Sequence, residues 1–354
     1  MDINELFKIA VENKASDLHL VAGKAPIIRV DGVLKEIKDE PVLTQKLAQK
    51  IIFSLLSERR KEKFIRERDL DFSYEIKDLA RFRINIHWEK DNVGLVARTI
   101  PSAIPTMEEI LMPKITYQFV KLQQGLILVT GPTGCGKSTT LAAMIDSINR
   151  HRSSHIVTLE DPIEFIYVSK KSIIKQREIE RDTLSFARGL KYVLRQDPNV
   201  ILVGEMRDLE TIAATLTAAE TGHLVFSTLH TSNAAETVER IVDVFPPYQQ
   251  TQIRLQLAST LQGIISQRLI PKINGGRIAA REILINTPAV ANSIRENKIV
   301  QINTIIQTSA SIGMITLDRD LMHLYKKGLI SEEITKSYMS TEQNLGIKDL
   351  ETEK

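Results

Sequence analysis

The feature that most constrains this chain is a glycine-rich segment between an apolar run and a helical one. It reads Gly131, Pro132, Thr133, Gly134, Cys135, Gly136, Lys137 and Ser138, after GLILVT and before a helical pattern that opens with Thr139. Glycines let the backbone curl so that N–H groups face phosphate oxygens, and the helix N-terminus adds positive potential. In this pattern the lysine bridges β- and γ-phosphates and the serine ligates Mg²⁺. The context disfavours a plain glycine turn, so the sequence predicts that all nine residues bind a nucleoside triphosphate.

Cys135, inside this segment, is the only cysteine of the chain. An internal disulfide and a multi-cysteine zinc site are therefore excluded. The positive potential of a helix N-terminus can lower the pKa of a thiol, and a lowered pKa would make activity sensitive to thiol reagents. The interpretation that we favour is plainer: a small residue fills a space that serine could fill.

Length and charge limit the remaining possibilities. The 354 residues suggest two domains, and 43% hydrophobic with 26% charged residues is typical of a globular chain. A net charge of +3 gives no reason to expect nucleic acid as a partner. No apolar run is long enough for a transmembrane span, and the N-terminus does not resemble a secretory signal, so we expect a cytoplasmic protein that is not integral to the membrane.

The pattern changes along the chain and predicts four parts. Residues 1–100 form a small mixed domain, with a helix over 3–13, a hairpin at Asp31-Gly32 and an alternating strand over Arg81–Trp88. A proline-punctuated linker, rather than an ordinary surface loop, covers 101–116. Residues 117–285 alternate short apolar strands with helices, as in a parallel sheet. Residues 286–354 are helical, with capping residues Thr287, Thr316 and Ser331 and a polar end.

Two acidic groups follow predicted strands. Glu205 comes just after Val200–Val203, separated by Gly204, and is our candidate for the base that activates the attacking water. In TLEDPIEF, Glu160, Asp161 and Glu164 could hold Mg²⁺ or cap the next turn, and spacing alone leaves both open.

Two histidines flank the strand pattern LVFSTL. His223 and His230 are seven residues apart, so on an extended strand they point to opposite faces and do not share a metal. His230 ends the strand at the expected site edge and could sense the γ-phosphate as a neutral donor, although a lone histidine is more often a satisfied core residue.

Three arginines lie on polar strand faces of the first domain. Arg81, Arg83 and Arg98 could be a solvated charged face. Alternatively, one of them acts on the γ-phosphate of a neighbouring subunit, because the loop and its acids supply no obvious positive charge in trans.

With these residues in view, the chain resembles the PilT-type family of type IV pilus retraction ATPases, within the secretion ATPase superfamily of RecA-like motors. The resemblance covers nearly the whole chain. The sequence departs from the family's pattern at Cys135, where serine is usual, and locally in GRIAAREILI. The segments that carry it include ASDLHL, RFRIN, RTIPSAIPT, GPTGCGKSTT, TLEDPIEF, LRQDPNVILVGEMRDLETI, TAAETGHLVFSTLHTSNAAETVERIVDVFP and EILINTPAVANSIRENK.

The resemblance implies an α/β architecture: a PAS-like α+β domain, a RecA-like P-loop domain with a C-terminal helical extension, and a hexameric ring. It also implies that Glu160 and Asp161 form an acidic box, that Glu205 is an atypical Walker B glutamate, and that His223 and His230 form a histidine box. ATP would lie between first and second domains, with arginines such as Arg81, Arg83 or Arg98 near its γ-phosphate.

The family's partners are a pilus platform protein of the inner membrane and related pilus ATPases, which places the ring at the cytoplasmic face of that membrane. The implied function is Mg²⁺-dependent ATP hydrolysis that powers pilus retraction and twitching motility. A pilus assembly or secretion ATPase is the nearest alternative, but these typically carry a longer N-terminal region and a four-cysteine zinc insertion. A nucleic-acid translocase and a non-hydrolysing scaffold are the alternatives from other classes.

Overall fold

The chain divides into two compact units. The computed structural model describes residues 2–30, 32–77, 79–100 and 103–339. By the contacts between residues, the first unit consists of Met1–Ala103 and Pro162–Ile166. The second unit consists of Ile104–Asp161 and Tyr167–Lys354. Asp31 of the predicted hairpin, Pro101 of the predicted linker and the polar C-terminal residues lie outside the described part. The predicted boundaries 1–100, 101–116, 117–285 and 286–354 remain predictions.

The first unit is a six-stranded antiparallel sheet with three helices. Its sheet order is β3-β2-β1-β6-β5-β4, and side chains of Asp2, Thr44 and Ser57 accept backbone hydrogen bonds at the helix N-termini. The elements are α1 (Ile3–Glu12), β1 (Asp17–Leu20), β2 (Ile27–Val30), β3 (Val33–Glu36), α2 (Gln45–Phe53), α3 (Glu58–Glu67), β4 (Asp69–Ile76), β5 (Ala80–Glu89) and β6 (Asn92–Ile100).

Strand β5 confirms the alternation expected from the sequence. Phe82, Ile84 and Ile86 are buried in the core of this unit. The Phe82 ring stacks on Phe7 of α1 at a centroid distance of 4.3 Å. The intervening residues, Arg81 and Arg83 among them, therefore lie on the opposite face of the strand.

The second unit carries the phosphate loop on a seven-stranded sheet. Its elements are α4 (Thr116–Phe119), β7 (Gly125–Thr130), α5 (Lys137–His151), β8 (His155–Glu160), β9 (Ile173–Glu178), α6 (Phe186–Val193), β10 (Val200–Val203), α7 (Leu209–Glu220), β11 (Leu224–Leu229), α8 (Ala234–Asp243), α9 (Pro247–Thr260), β12 (Leu261–Pro271), β13 (Arg277–Ile285), α10 (Pro288–Arg295), α11 (Gln301–Thr308), a 3₁₀ turn (Ala310–Ile312), α12 (Leu317–Lys326) and α13 (Glu332–Tyr338).

The sheet order is β13-β12-β7-β11-β10-β8-β9. Every neighbouring pair from β12 to β9 is parallel, and β13 pairs antiparallel with β12. The alternating short apolar strands that the sequence predicts are present as β7, β8, β10 and β11, and they pair in parallel as expected. The antiparallel β12–β13 hairpin, which the sequence did not indicate, extends one edge. The carboxyl ends of the parallel strands lie at one edge, where ligands bind in such sheets.

The C-terminal helices begin where the sequence predicts. Side chains of Thr287, Thr316 and Ser331 accept the capping hydrogen bonds of α10, α12 and α13. The helices α10, α11 and α12 contribute buried residues to the cores of the second unit.

Candidate functional site

The phosphate loop is the tight connection between β7 and α5. Gly131, Gly134 and Gly136 all have positive φ, the region that favours glycine. A Cβ at Gly131 would lie 2.3 Å from the Gln267 carbonyl oxygen and 2.7 Å from Cys135 Sγ, so no other residue fits there. Pro132 and Thr133 are exposed at the crest. The loop therefore has the curled backbone that the motif predicts.

Lys137, Ser138 and Thr139 form the first turn of α5 and are partly exposed. The Lys137 Nζ donates to the carbonyl oxygens of Gly131 at 2.8 Å and Pro132 at 3.2 Å. The lysine amine is thus held over the loop, beside the hydroxyls at the helix N-terminus.

Glu205 is fixed in place by the backbone around it. The Gly204 N–H donates to Leu159 of β8, and the Met206 N–H donates to Thr228 of β11. A Cβ at Gly204 would come within 3.2 Å of the Leu159 carbonyl oxygen, which explains why glycine separates the strand from the acid. Glu205 is therefore presented at the carboxyl edge of the sheet between two strands.

A chain of polar contacts links Glu205 to the phosphate loop. His230 Nδ1 lies 3.5 Å from Lys137 Nζ, and its Nε2 lies 3.3 Å from Glu205 Oε2. An ammonium group only donates, so in this geometry His230 accepts from the lysine at Nδ1 and donates from Nε2–H to the Glu205 carboxylate. The other carboxylate oxygen of Glu205 accepts from Arg207 Nε at 2.7 Å. Arg207 was not among the residues that the sequence pattern indicated for the site.

Glu160 and Asp161 stand at the carboxyl end of β8, farther along the edge. Glu160 Oε1 accepts hydrogen bonds from Thr158 Oγ1 at 2.6 Å and Gln176 Nε2 at 3.2 Å. β8 is three strand positions from β7, about 14 Å at the usual spacing. The structure therefore does not bring Glu160 to Ser138.

His223 does not reach the phosphate loop of its own chain. It precedes β11, and its Nδ1 lies 3.0 Å from the Ala218 carbonyl oxygen. The loop and His230 lie at the opposite end of this six-residue strand, about 20 Å away. The two histidines are thus separated along the strand. A contact between His223 and a nucleotide, which the histidine box of the resemblance implies, is not made at this loop within one chain and remains a prediction.

The three first-unit arginines differ in how they are held. Arg81 is largely buried and donates to Ser73 Oγ at 2.8 Å and to the Ile163 carbonyl oxygen at 3.2 Å. Arg98 Nε donates to Asp17 Oδ1 at 2.9 Å. The side chain of Arg83 is 43% exposed, with Nη1 3.8 Å from Glu164 Oε1.

Gln267 of β12 supports the loop from behind, a role that its sequence neighbourhood did not indicate. Its buried side chain donates from Nε2 to the Cys135 carbonyl oxygen at 2.8 Å and accepts at Oε1 from Thr140 Oγ1 at 2.9 Å. The contact joins residues more than 120 positions apart, so only the pairing of β12 with β7 creates it.

We expect Gln267→Leu to lower the free energy of unfolding by about 1–3 kcal/mol, because it leaves the Cys135 carbonyl without its donor. Urea unfolding of the purified protein measures this. Gln267→Glu, which keeps an acceptor for Thr140 but loses the donor, should also destabilise. Wild-type stability of both variants would contradict the supporting role.

The environment of Cys135 favours the plainer interpretation of this residue. The side chain is buried, and burial raises the pKa of its thiol despite the nearby Lys137 charge. A raised pKa leaves less thiolate at neutral pH.

We therefore expect alkylation of native Cys135 by iodoacetamide at pH 7.5 to be slower than alkylation of free cysteine, and to accelerate as the pH rises beyond 9. Mass spectrometry over a time course measures the rate, with unfolded protein as the control. Faster labelling of the native protein would contradict this prediction.

A cavity of about 280 Å³ opens beside the loop. Cys135, Gly136 and Thr139 form one wall, and Glu109–Leu111, ahead of α4, contribute another. The lining also contains three basic side chains, Lys272, Arg277 and Arg281, and one acidic side chain, Glu109. The positive balance and the adjoining loop suit a phosphorylated ligand.

The described residues contain no helix with both the length and the apolar character needed to cross a bilayer. In the same part of the chain, no three or more His, Cys, Asp or Glu side chains are grouped to hold a metal ion. A nucleotide-bound Mg²⁺ needs no such group, since it commonly uses one or two protein oxygens, phosphates and water.

Comparisons with known proteins identify the family of this chain. The family described as "Type II/IV secretion system protein" matches residues 1–345. The type IV pilus retraction ATPase PilT of Pseudomonas aeruginosa is 52% identical over 94% of this chain and 96% of its own. A twitching motility protein of Neisseria gonorrhoeae is 49% identical over 88% of this chain and 84% of its own.

Among solved structures, the pilus retraction motor PilT with bound ADP superimposes with a TM-score of 0.89 at 47% identity, covering 97% of this chain and 98% of that one. This match confirms the expected α/β fold class. The chain belongs to the type II/IV secretion system protein family, on the branch of the PilT-type ATPases.

Proposed function

We propose that this protein is an ATPase that powers retraction of type IV pili and thereby twitching motility. The observation that carries the proposal is the connected set of Lys137, His230 and Glu205 at the carboxyl edge of the sheet. It joins a phosphate loop to a carboxylate, which is the minimum needed for hydrolysis of a nucleoside triphosphate. The similarity to PilT along nearly the whole chain supports the pilus as the structure that the ATPase retracts.

In the proposed reaction, the backbone N–H groups of Thr133–Thr139 and the amine of Lys137 hold the phosphates. Glu205 takes a proton from water as the water oxygen attacks the γ-phosphorus, and the bond to the β–γ bridging oxygen breaks to leave ADP and phosphate. The Nε2–H of His230 orients the carboxylate, and His230 lies close enough to Lys137 to respond to the γ-phosphate.

The nucleotide is proposed to carry Mg²⁺, which neutralises phosphate charge. The Ser138 hydroxyl fits as its ligand, because it sits on the first turn of α5 beside Lys137. Glu160 and Asp161 remain candidates for contact through water only, since β8 lies three strands from β7.

The cavity beside the loop is proposed to receive the nucleoside. Its volume of about 280 Å³ accommodates a purine with part of its ribose. Lys272 follows β12 and Arg277 begins β13, so this hairpin contributes two positive charges to the cavity lining. These charges favour the phosphorylated end of the ligand.

The working assembly is proposed to be a homohexamer at the cytoplasmic face of the inner membrane. Its partners would be a pilus platform protein and related pilus ATPases. In such a ring, an arginine of the first unit would act on ATP held by a neighbouring subunit.

The test is a strain in which the chromosomal copy carries Glu205→Gln. Excess surface pili with loss of twitching support retraction. A bald surface would overturn retraction in favour of assembly or export, the alternative that the single cysteine disfavours. Hydrolysis by the purified protein that rises severalfold on addition of DNA would favour a translocase instead.

A further inference from the structure

A buried arginine lies behind the cavity beside the phosphate loop. The Arg281 side chain is 2% exposed. Its Nη2 donates to the Ile110 carbonyl oxygen at 3.0 Å, and its Nη1 donates to the Leu111 carbonyl oxygen at 3.2 Å. Both acceptors belong to the short turn Thr106–Met112 that precedes α4, which we call the linker turn.

Burial of this cation is costly, since its side-chain acceptors are neutral backbone carbonyls. The Nε atom is buried with no hydrogen-bond partner, and burial lowers the pKa of the guanidinium to about 10. Asp320 gives partial compensation, because its carboxylate accepts from the Arg281 backbone N–H at 2.8 Å. An apolar residue would avoid this cost, so the contact to the linker turn needs a reason beyond packing.

The linker turn itself is held in an unfavourable shape. Leu111 has a φ of +52°, a region that costs a side-chain-bearing residue about 1–2 kcal/mol. Thr106 and Glu109 form a capping box, in which the Thr106 N–H donates to Glu109 Oε2 and the Glu109 N–H donates to Thr106 Oγ1. The capping box fixes one end of the turn and Arg281 fixes the other.

This fixed turn faces the proposed nucleoside cavity. Glu109, Ile110 and Leu111 line the cavity together with residues of the phosphate loop, and Arg281, which bonds to two of them, lines it as well. We propose that Arg281 is a positioning residue for the nucleoside: by fixing Glu109–Leu111 it sets the shape of the wall that receives the purine and ribose. The inference deepens the proposed function and rests on it.

A wall that contacts the nucleoside does not act on the phosphates. Arg281→Lys should therefore weaken ADP binding by about tenfold and leave the affinity for inorganic tripolyphosphate within about twofold. We also expect the wild-type protein to bind ADP more tightly than GDP, and this difference should fall in Arg281→Lys because the wall that contacts the base is no longer fixed. A merely structural loss of stability would not separate these ligands.

The experiment is titration calorimetry of the full chain with ADP, GDP and tripolyphosphate. Arg152→Lys is the matched control, because Arg152 also donates to two backbone carbonyl oxygens, of Val120 at 3.0 Å and Leu122 at 2.7 Å. It follows the far end of α5, about 22 Å from Lys137. Its variant should keep wild-type affinity for all three ligands.

Thr106→Val provides a second variant that leaves the buried cation in place. It removes one bond of the capping box and should weaken ADP binding, by less than Arg281→Lys, without changing tripolyphosphate binding. Equal losses of ADP and tripolyphosphate in both variants, or wild-type ADP affinity and base preference in both, would overturn the proposal. A wild-type protein that binds tripolyphosphate but not ADP would instead overturn the proposed ATPase function.

Discussion

Replacing Glu205 with glutamine is expected to slow ATP hydrolysis by about 10²–10⁴-fold while ATP binding stays within about twofold of wild type. Glutamine keeps the shape of the side chain and an acceptor for His230, but it cannot take a proton from water. The loop residues that hold the phosphates are untouched. Steady-state phosphate release and binding of a fluorescent ATP analogue measure the two effects separately.

Glu210→Gln is the control for this experiment. Glu210 is exposed in the first turn of α7, five residues further on, so the substitution makes the same change of charge away from the polar chain. Its hydrolysis rate should stay near wild type. A wild-type rate of hydrolysis for Glu205→Gln would exclude Glu205 as the base and leave Glu160 and Asp161 as the candidates.

The fold was predictable where strands are buried on both faces. β7, β8, β10 and β11 are short apolar runs, and the structure has β7, β10 and β11 within one residue of the predicted segments GLILVT, Val200–Val203 and LVFSTL. β9 was not predicted because Ile173–Glu178 mixes polar residues into an edge strand. The β12–β13 hairpin was missed because its two strands carry arginine, glutamine and glutamate among apolar residues, which hides the buried pattern.

The site was predictable where chemistry follows a strand or a motif. Lys137 belongs to the phosphate-loop motif between β7 and α5, and Glu205 follows the end of β10, so the sequence shows both positions directly. Gln267 and Arg281 act through contacts with residues more than 120 positions away, so their roles depend on the sheet order. His223 precedes β11 and so lies at the amino end of this parallel strand, away from the ligand edge. Its place in the site was suggested by the resemblance and not by its position along the strand.

Arg83 is the first-unit arginine that we expect to act on the γ-phosphate. We expect Arg83→Ala to reduce kcat by about 10³-fold or more while ATP binding changes little, because an arginine that stabilises developing charge on the γ-phosphate acts on the transition state. Arg83 is the best placed of the three, since Arg81 and Arg98 are held by closer hydrogen bonds within their own unit. Arg98→Ala should therefore have a smaller effect on kcat.

Mixing two inactive variants distinguishes action in trans from action within one chain. Arg83→Ala subunits keep an intact phosphate loop, and Lys137→Ala subunits keep Arg83. If the arginine acts on a neighbour's nucleotide, mixed oligomers contain sites with both groups and regain part of the activity. No recovery, in mixtures shown to co-assemble, would mean that Arg83 serves its own chain. Wild-type kcat for Arg83→Ala would leave it as part of a solvated charged face.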